Sequence, residues 1–148
     1  MQLKTVTEKS VYGLSIRTDN ATEIDPNKAK IGGLYQTFDQ TIAVDYANGE
    51  RVYGVYYDYE SDHSGQFNVL AGFNGKNLSD SALEKVIIPE ARYLVFTQTG
   101  KMPDAVINAW KEVWQYFASD EADHTRLFTT DFEFYESADK VELYIAVK

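Results

Sequence analysis

Residues 131–137 run Asp131-Phe132-Glu133-Phe134-Tyr135-Glu136-Ser137, a period-two alternation that predicts a half-buried β-strand. One face of that strand carries Phe132 and Phe134, the other Asp131, Glu133 and Tyr135. Residues 140–147 alternate again, with Val141, Leu143, Ile145 and Val147 against Glu142 and Tyr144, so the two segments predict a closing hairpin. Upstream, residues 105–118 repeat apolar side chains at helical spacing: Val106, Ala109, Trp110, Val113, Trp114 and Phe117. Lys111, Glu112 and Gln115 stand outside that stripe. Gly100 and Pro103 bracket the loop that enters the helix, and residues 86–99 before it predict a strand bent near Pro89.

The first half of the chain carries the same order. Residues 4–17, with Val11, Leu14 and Ile16, predict a strand, and the polar residues 19–28 a loop. Pro26 then opens a helical pattern in which Ile31, Leu34, Tyr35, Phe38 and Ile42 recur. Asn48-Gly49 marks a turn, residues 51–60 a strand, 61–65 a second turn and 66–73 the partner strand. Residues 74–80 are the connector. A shift of 76 positions lays Ile31 on Ile107, Leu34 on Trp110, Phe38 on Trp114 and Tyr59-Glu60-Ser61 on Tyr135-Glu136-Ser137. The expected fold is therefore α+β: one domain over residues 1–148, with halves of about 1–75 and 76–148. It is a tandem strand–helix–strand–strand repeat with a pseudo-twofold axis. Its antiparallel sheet carries both main helices on one face and leaves a central cleft.

Composition narrows the function. There are 23 acids against 14 bases, a net charge of −9, which repels phosphate backbones and anionic lipid surfaces and attracts cations. Nucleic-acid and membrane binding are thereby disfavoured. No apolar run reaches the ~18 residues of a membrane span, and the amino terminus has no signal-peptide core, so the expected location is cytoplasmic. The absence of cysteine removes thiol chemistry, and His63 and His124 stand far apart, so neither a metal nor a cofactor is expected. The 11 tyrosines are an unusual load; their ring faces suit organic cations as well as a core.

If Phe132 and Phe134 pack under the helices, Glu133 points to the opposite, open face. The shift of 76 then sets Tyr57 opposite it, and Tyr135 and Tyr144 join on the same side. A carboxylate enclosed there needs a cationic ligand, a hydrogen-bond network or a proton. Trp110, Phe38 and Trp114 either line such a cleft or belong to the core beneath it.

Four segments resemble GyrI-like small-molecule-binding domains, the effector-binding domains of AraC-type and MerR-type regulators. They are Ile88-Pro89-Glu90-Ala91-Arg92-Tyr93-Leu94-Val95-Phe96 with Thr99-Gly100, the helix with Trp110 and Phe117, the closing hairpin, and Tyr53-Gly54-Val55-Tyr56-Tyr57-Asp58 with Leu70-Ala71-Gly72. Ala146 stands where the family has Pro, and Phe117 where it has Trp. The chain leaves no room for a helix-turn-helix before its first strand, so the resemblance is to a stand-alone module of the kind carried on integron cassettes. It implies a cleft for lipophilic cations, with an aromatic lining and a glutamate that matches Glu133. Three readings follow. The first is a module that binds cationic, drug-like molecules, with Glu133 supplying charge and the aromatics supplying walls. The second is a hydrolase of strained-ring electrophiles with Glu133 as general base. The third is an interaction module, for DNA gyrase or a separate regulator. A homodimer through a sheet edge is open to all three.

Overall fold

The computed structural model describes residues 1–75 and 83–148; the expected connector falls mostly on 76–82, outside the described residues. The elements are β1 (Gln2–Val6), β2 (Lys9–Asp19), α1 (Asn20–Ile24), α2 (Ile31–Thr41), β3 (Val52–Tyr57) and β4 (Gln66–Phe73), then β5 (Glu84–Ile88), β6 (Ala91–Thr99), α3 (Asp104–Ala118), β7 (Thr130–Ser137) and β8 (Lys140–Ala146). The eight strands form one antiparallel sheet in the order β1-β6-β8-β7-β3-β4-β2-β5. The repeat is visible in that order: β6-β8-β7 mirrors β2-β4-β3 across the central β3–β7 pair.

The two long strands expected at 4–17 and 86–99 are each broken, at residues 7–8 and at Pro89-Glu90. Proline has no N–H for the ladder, which accounts for the second break. In both halves the leading piece crosses over: β1 pairs with β6, and β5 pairs with β2. Each half thus supplies the edge strand of the other. The polar segment after β2 is also more ordered than expected, because Asp19 caps α1 by accepting from the Thr22 N–H at 2.7 Å.

α2 and α3 lie on one face. Leu34 and Phe38 of α2 pack on Val69, Ala71 and Phe73; Ala109 and Val113 of α3 pack on Leu94, Leu143 and Ile145. The other face holds a second core, built on Val11, Tyr53, Val55, Leu70, Ile88, Tyr93 and Phe132. Ile88, from the outermost strand, packs in the same cluster as Phe132 of central β7, so the sheet curls around this core.

That second core corrects the expected orientation of β7. Phe132 and Phe134 point away from the helices, and Glu133 points toward them. The ladder pairs Glu133 with Gly54 and with Leu143, and Leu143 lies under α3. Paired residues share a face, so residues of β3 and β7 that share one must stand an odd number of positions apart. The shift of 76 is even and turns every side chain over. The buried helix positions show the better shift: Leu34 with Ala109 and Phe38 with Val113 are 75 apart.

A candidate binding cleft around Glu133

A cleft of about 1190 Å³ opens between α2, α3 and the helix face of the central strands. At its centre is Glu133, which is 2% exposed. β7 fixes it mid-sheet, between Gly54 and Leu143. Four neutral donors converge on its carboxylate. Oε1 accepts from Tyr35 Oη at 2.8 Å and Tyr135 Oη at 2.9 Å; Oε2 accepts from Tyr56 Oη and Trp110 Nε1, both at 2.8 Å. One donor comes from each helix, one from β3 and one from β7 itself.

Each donor is placed by its element. Tyr35 follows Leu34 on α2, so it flanks the face that packs on the sheet and reaches down the cleft side. Trp110 stands beside Ala109 in the same relation on α3, and one turn on, Trp114 continues the wall, its ring 6.2 Å from that of Trp110. Tyr56 is even-numbered like Gly54 and so shares the face of Glu133. Gly54 itself is required by space: a Cβ there would collide with Tyr35 Oη and Glu133 Oε1.

The carboxylate is hydrogen-bonded but not charge-balanced. Hydrogen bonds to a charged group contribute about 1.5–3 kcal/mol each, enough for four to offset a desolvation cost of several kcal/mol. Among the described residues no cation forms an ion pair with it. Its tyrosine donors keep their protons. Burial raises Tyr35, Tyr56 and Tyr135 well above the ordinary phenol range, and the Glu133 charge raises them further. The neighbouring carboxylate differs: Asp131, fully buried, meets Arg126 Nη2 at 2.9 Å.

The expected site residues divide. Glu133, Tyr135, Trp110 and Trp114 line the cleft. Phe38 does not; it is fully buried against Phe73 in the core under α2. Tyr57 and Tyr144 lie on the opposite face, Tyr144 stacked on Phe132 at 4.4 Å and Tyr57 packed against the second core. This corrects their expected grouping with Glu133 and follows from the odd spacing of paired residues. Tyr35 and Tyr56 take the places expected for them. Both were hidden by bland roles in the sequence, Tyr35 in a core stripe and Tyr56 in the wrong alternation of a tyrosine-rich strand. Among the described residues no group of three metal-ligating side chains occurs, and no helix is long and apolar enough to cross a membrane.

Residues 2–147 match the Cass2 family, described as integron-associated effector binding protein. The chain belongs to that family. The Vibrio cholerae integron cassette protein VCH_CASS2 is 39% identical, over 99% of this chain and 95% of that one, with a TM-score of 0.92. YobU of Bacillus subtilis (strain 168), named as a proposed transcriptional regulator, is 28% identical over 95% of this chain and 92% of its own length. The fold is also that of SAV2435, solved with tetraphenylphosphonium, at a TM-score of 0.74, 23% identity and coverage of 99% and 93%. This likeness to effector-binding proteins accords with the GyrI-like resemblance.

Proposed function

We propose that this effector-binding chain takes lipophilic organic cations into the cleft between α2 and α3. The observation that carries the reading is Glu133: an enclosed carboxylate with every hydrogen-bonding position filled by a neutral group and, among the described residues, no counter-charge. A cation about 5 Å away gains about 3 kcal/mol at an effective dielectric of 20. Ring faces of Trp110, Trp114 and Tyr56 add cation–π attraction and apolar area. Since Glu133 has no free acceptor site, the fitting ligand is a cation without N–H groups, such as a quaternary ammonium, a phosphonium or a delocalised dye. The complex of SAV2435 with tetraphenylphosphonium lends support to this class.

The same saturation argues against the hydrolase reading. A general base must accept a proton from water, and here four donors would first have to move aside. The test compares tetraphenylphosphonium with tetraphenylborate, of the same shape and opposite charge, by thermal shift. The cation raises Tm and the anion does not. Equal shifts from the two would reject the role given to the carboxylate.

A further inference from the structure

The cleft floor holds a second group whose needs are the reverse of those of Glu133. Arg126 lies just before β7, lines the cleft, and has a side chain only 8% exposed. Its guanidinium lies over the Phe128 ring at 4.3 Å and faces the rings of Tyr59 and Trp110 at 5.8 and 5.9 Å. Nη2 donates to Asp131 Oδ2 at 2.9 Å and to Tyr59 Oη at 3.4 Å. Among the described residues Nη2 alone of its nitrogens finds an acceptor, and the Nε–H is buried without one. Asp131 is otherwise complete, accepting from the Ala146 N–H at 2.9 Å and from Tyr59 Oη at 2.6 Å. Position 146 is where the resemblance expects a proline, which has no N–H to give.

Arg126 therefore has its charge balanced and its Nε and Nη1 hydrogen bonds unfilled, whereas Glu133 has its hydrogen bonds filled and, among the described residues, its charge unbalanced. Asp131 and Glu133 are two residues apart on one strand face, about 7 Å. Trp110 touches both centres, bonding Glu133 and facing Arg126. The Nε–H is closed off from the cleft, but Nη1 also lacks an acceptor and is not closed off, so it is the donor that a ligand in the cleft can reach, and a ligand oxygen there replaces the water that the ligand displaces.

We propose that Arg126 is a second anchor of the cleft, donating to a neutral carbonyl or ester oxygen carried by the cation that sits against Glu133. The proposal rests on the cation-binding reading above and specifies its ligand class: a donor-free cation bearing a neutral acceptor. A carboxylate on the ligand fits less well, because Asp131 already balances the guanidinium and the site gains nothing from more negative charge.

Three probes share one triphenylphosphonium head: a heptyl chain, a 4-(methoxycarbonyl)butyl chain of matching length, and the corresponding 4-carboxybutyl chain. Calorimetry on the full chain is expected to show the ester binding at least about fivefold tighter than the heptyl compound, although heptyl is the more apolar. The advantage disappears in Arg126→Met with Asp131→Asn, a pair of changes that removes both charges together. In the unsubstituted protein the Arg126 guanidinium N–H resonances move further with the ester than with heptyl, a readout that does not depend on the variant folding. Equal affinity for ester and heptyl, with no extra movement of the Arg126 guanidinium resonances, overturns the proposal and leaves the cation reading standing, provided both probes weaken in Glu133→Gln. Tighter binding of the carboxylate than of the ester also overturns it, since Arg126 would then act as a charge. If no phosphonium binds, the cation reading falls and this proposal with it.

Discussion

Gly54 offers the sharpest mutational test of the packing around Glu133. In Gly54→Ala the new methyl carbon would occupy the space of Tyr35 Oη and Glu133 Oε1, with Glu133 Cδ 3.3 Å away. Both colliding atoms are ends of side chains and can retreat, but only by giving up their mutual hydrogen bond. A hydrogen bond to a buried charge contributes about 1.5–3 kcal/mol. Replacing a strand glycine by alanine returns about 0.5–1 kcal/mol of chain entropy. The net loss is about 1–2 kcal/mol, which in a domain of this size lowers Tm by about 2–8 °C. Gly33→Ala, on α2, is the matched control. A Cβ there meets nothing within 4 Å, so the same chemical change removes only the helix penalty of glycine and raises stability by about 0.4–1 kcal/mol. Differential scanning calorimetry on both variants reads the sign directly. A Gly54→Ala protein as stable as the parent would refute the account of the carboxylate's surroundings.

Other consequences are accessible to simple assays. Trp110→Phe deletes one donor to Glu133 and part of the cleft wall, and is expected to lower Tm by several degrees and to weaken tetraphenylphosphonium several-fold by calorimetry. Tyr57→Phe and Tyr144→Phe, on the far face, leave that affinity within twofold; a larger loss by titration would mean that the far face takes part. Alkaline stability follows from the tyrosines. Their folded-state ionisation lies above the unfolded value of 10, with Tyr93 pushed up to about 12 by burial and then by Asp131, and Tyr35, Tyr56 and Tyr135 raised well above. A raised value gives stability that is complete below pH 10 and is lost as pH rises beyond it. Denaturant midpoints should therefore hold steady with respect to these groups up to about pH 10 and fall above it. A midpoint unchanged from pH 10 to 12 would contradict the burial of these hydroxyls.

The elements with one strong period were legible in the sequence. Residues 105–118 became α3 and 131–137 lie within β7, because apolar residues recur at helical spacing in the first and alternate in the second. The side of the sheet was not legible. Both faces carry aromatic rows here, since the curled sheet has a core on each, and alternation fixes only which residues go together. Placing Phe132 on the wrong face carries Glu133, Tyr57 and Tyr144 with it, and the hairpin's own turn hides the error: Ser137 pairs with Lys140, a register that would set Phe134 opposite Leu143, but the register shift between Tyr135 and Ser137 gives that place to Glu133. The exchange of β1 and β5 between halves was invisible because an edge strand's partner is a long-range fact. Arg126 ends an acidic, polar stretch of the sequence, and its burial beside Phe128 and Asp131 is a tertiary fact that no local pattern carries.

The role proposed for Glu133 rests on its charge, and Glu133→Gln isolates that charge. The glutamine carbonyl can keep the hydrogen bonds from Trp110 and Tyr56, while its amide donates to the hydroxyls of Tyr35 and Tyr135, so the network survives with its negative charge gone. Calorimetric titration of tetraphenylphosphonium into both proteins is the direct measurement. At least a tenfold weaker Kd in the variant, about 1.4 kcal/mol, is the result predicted. Identical Kd values in two equally folded proteins would contradict it.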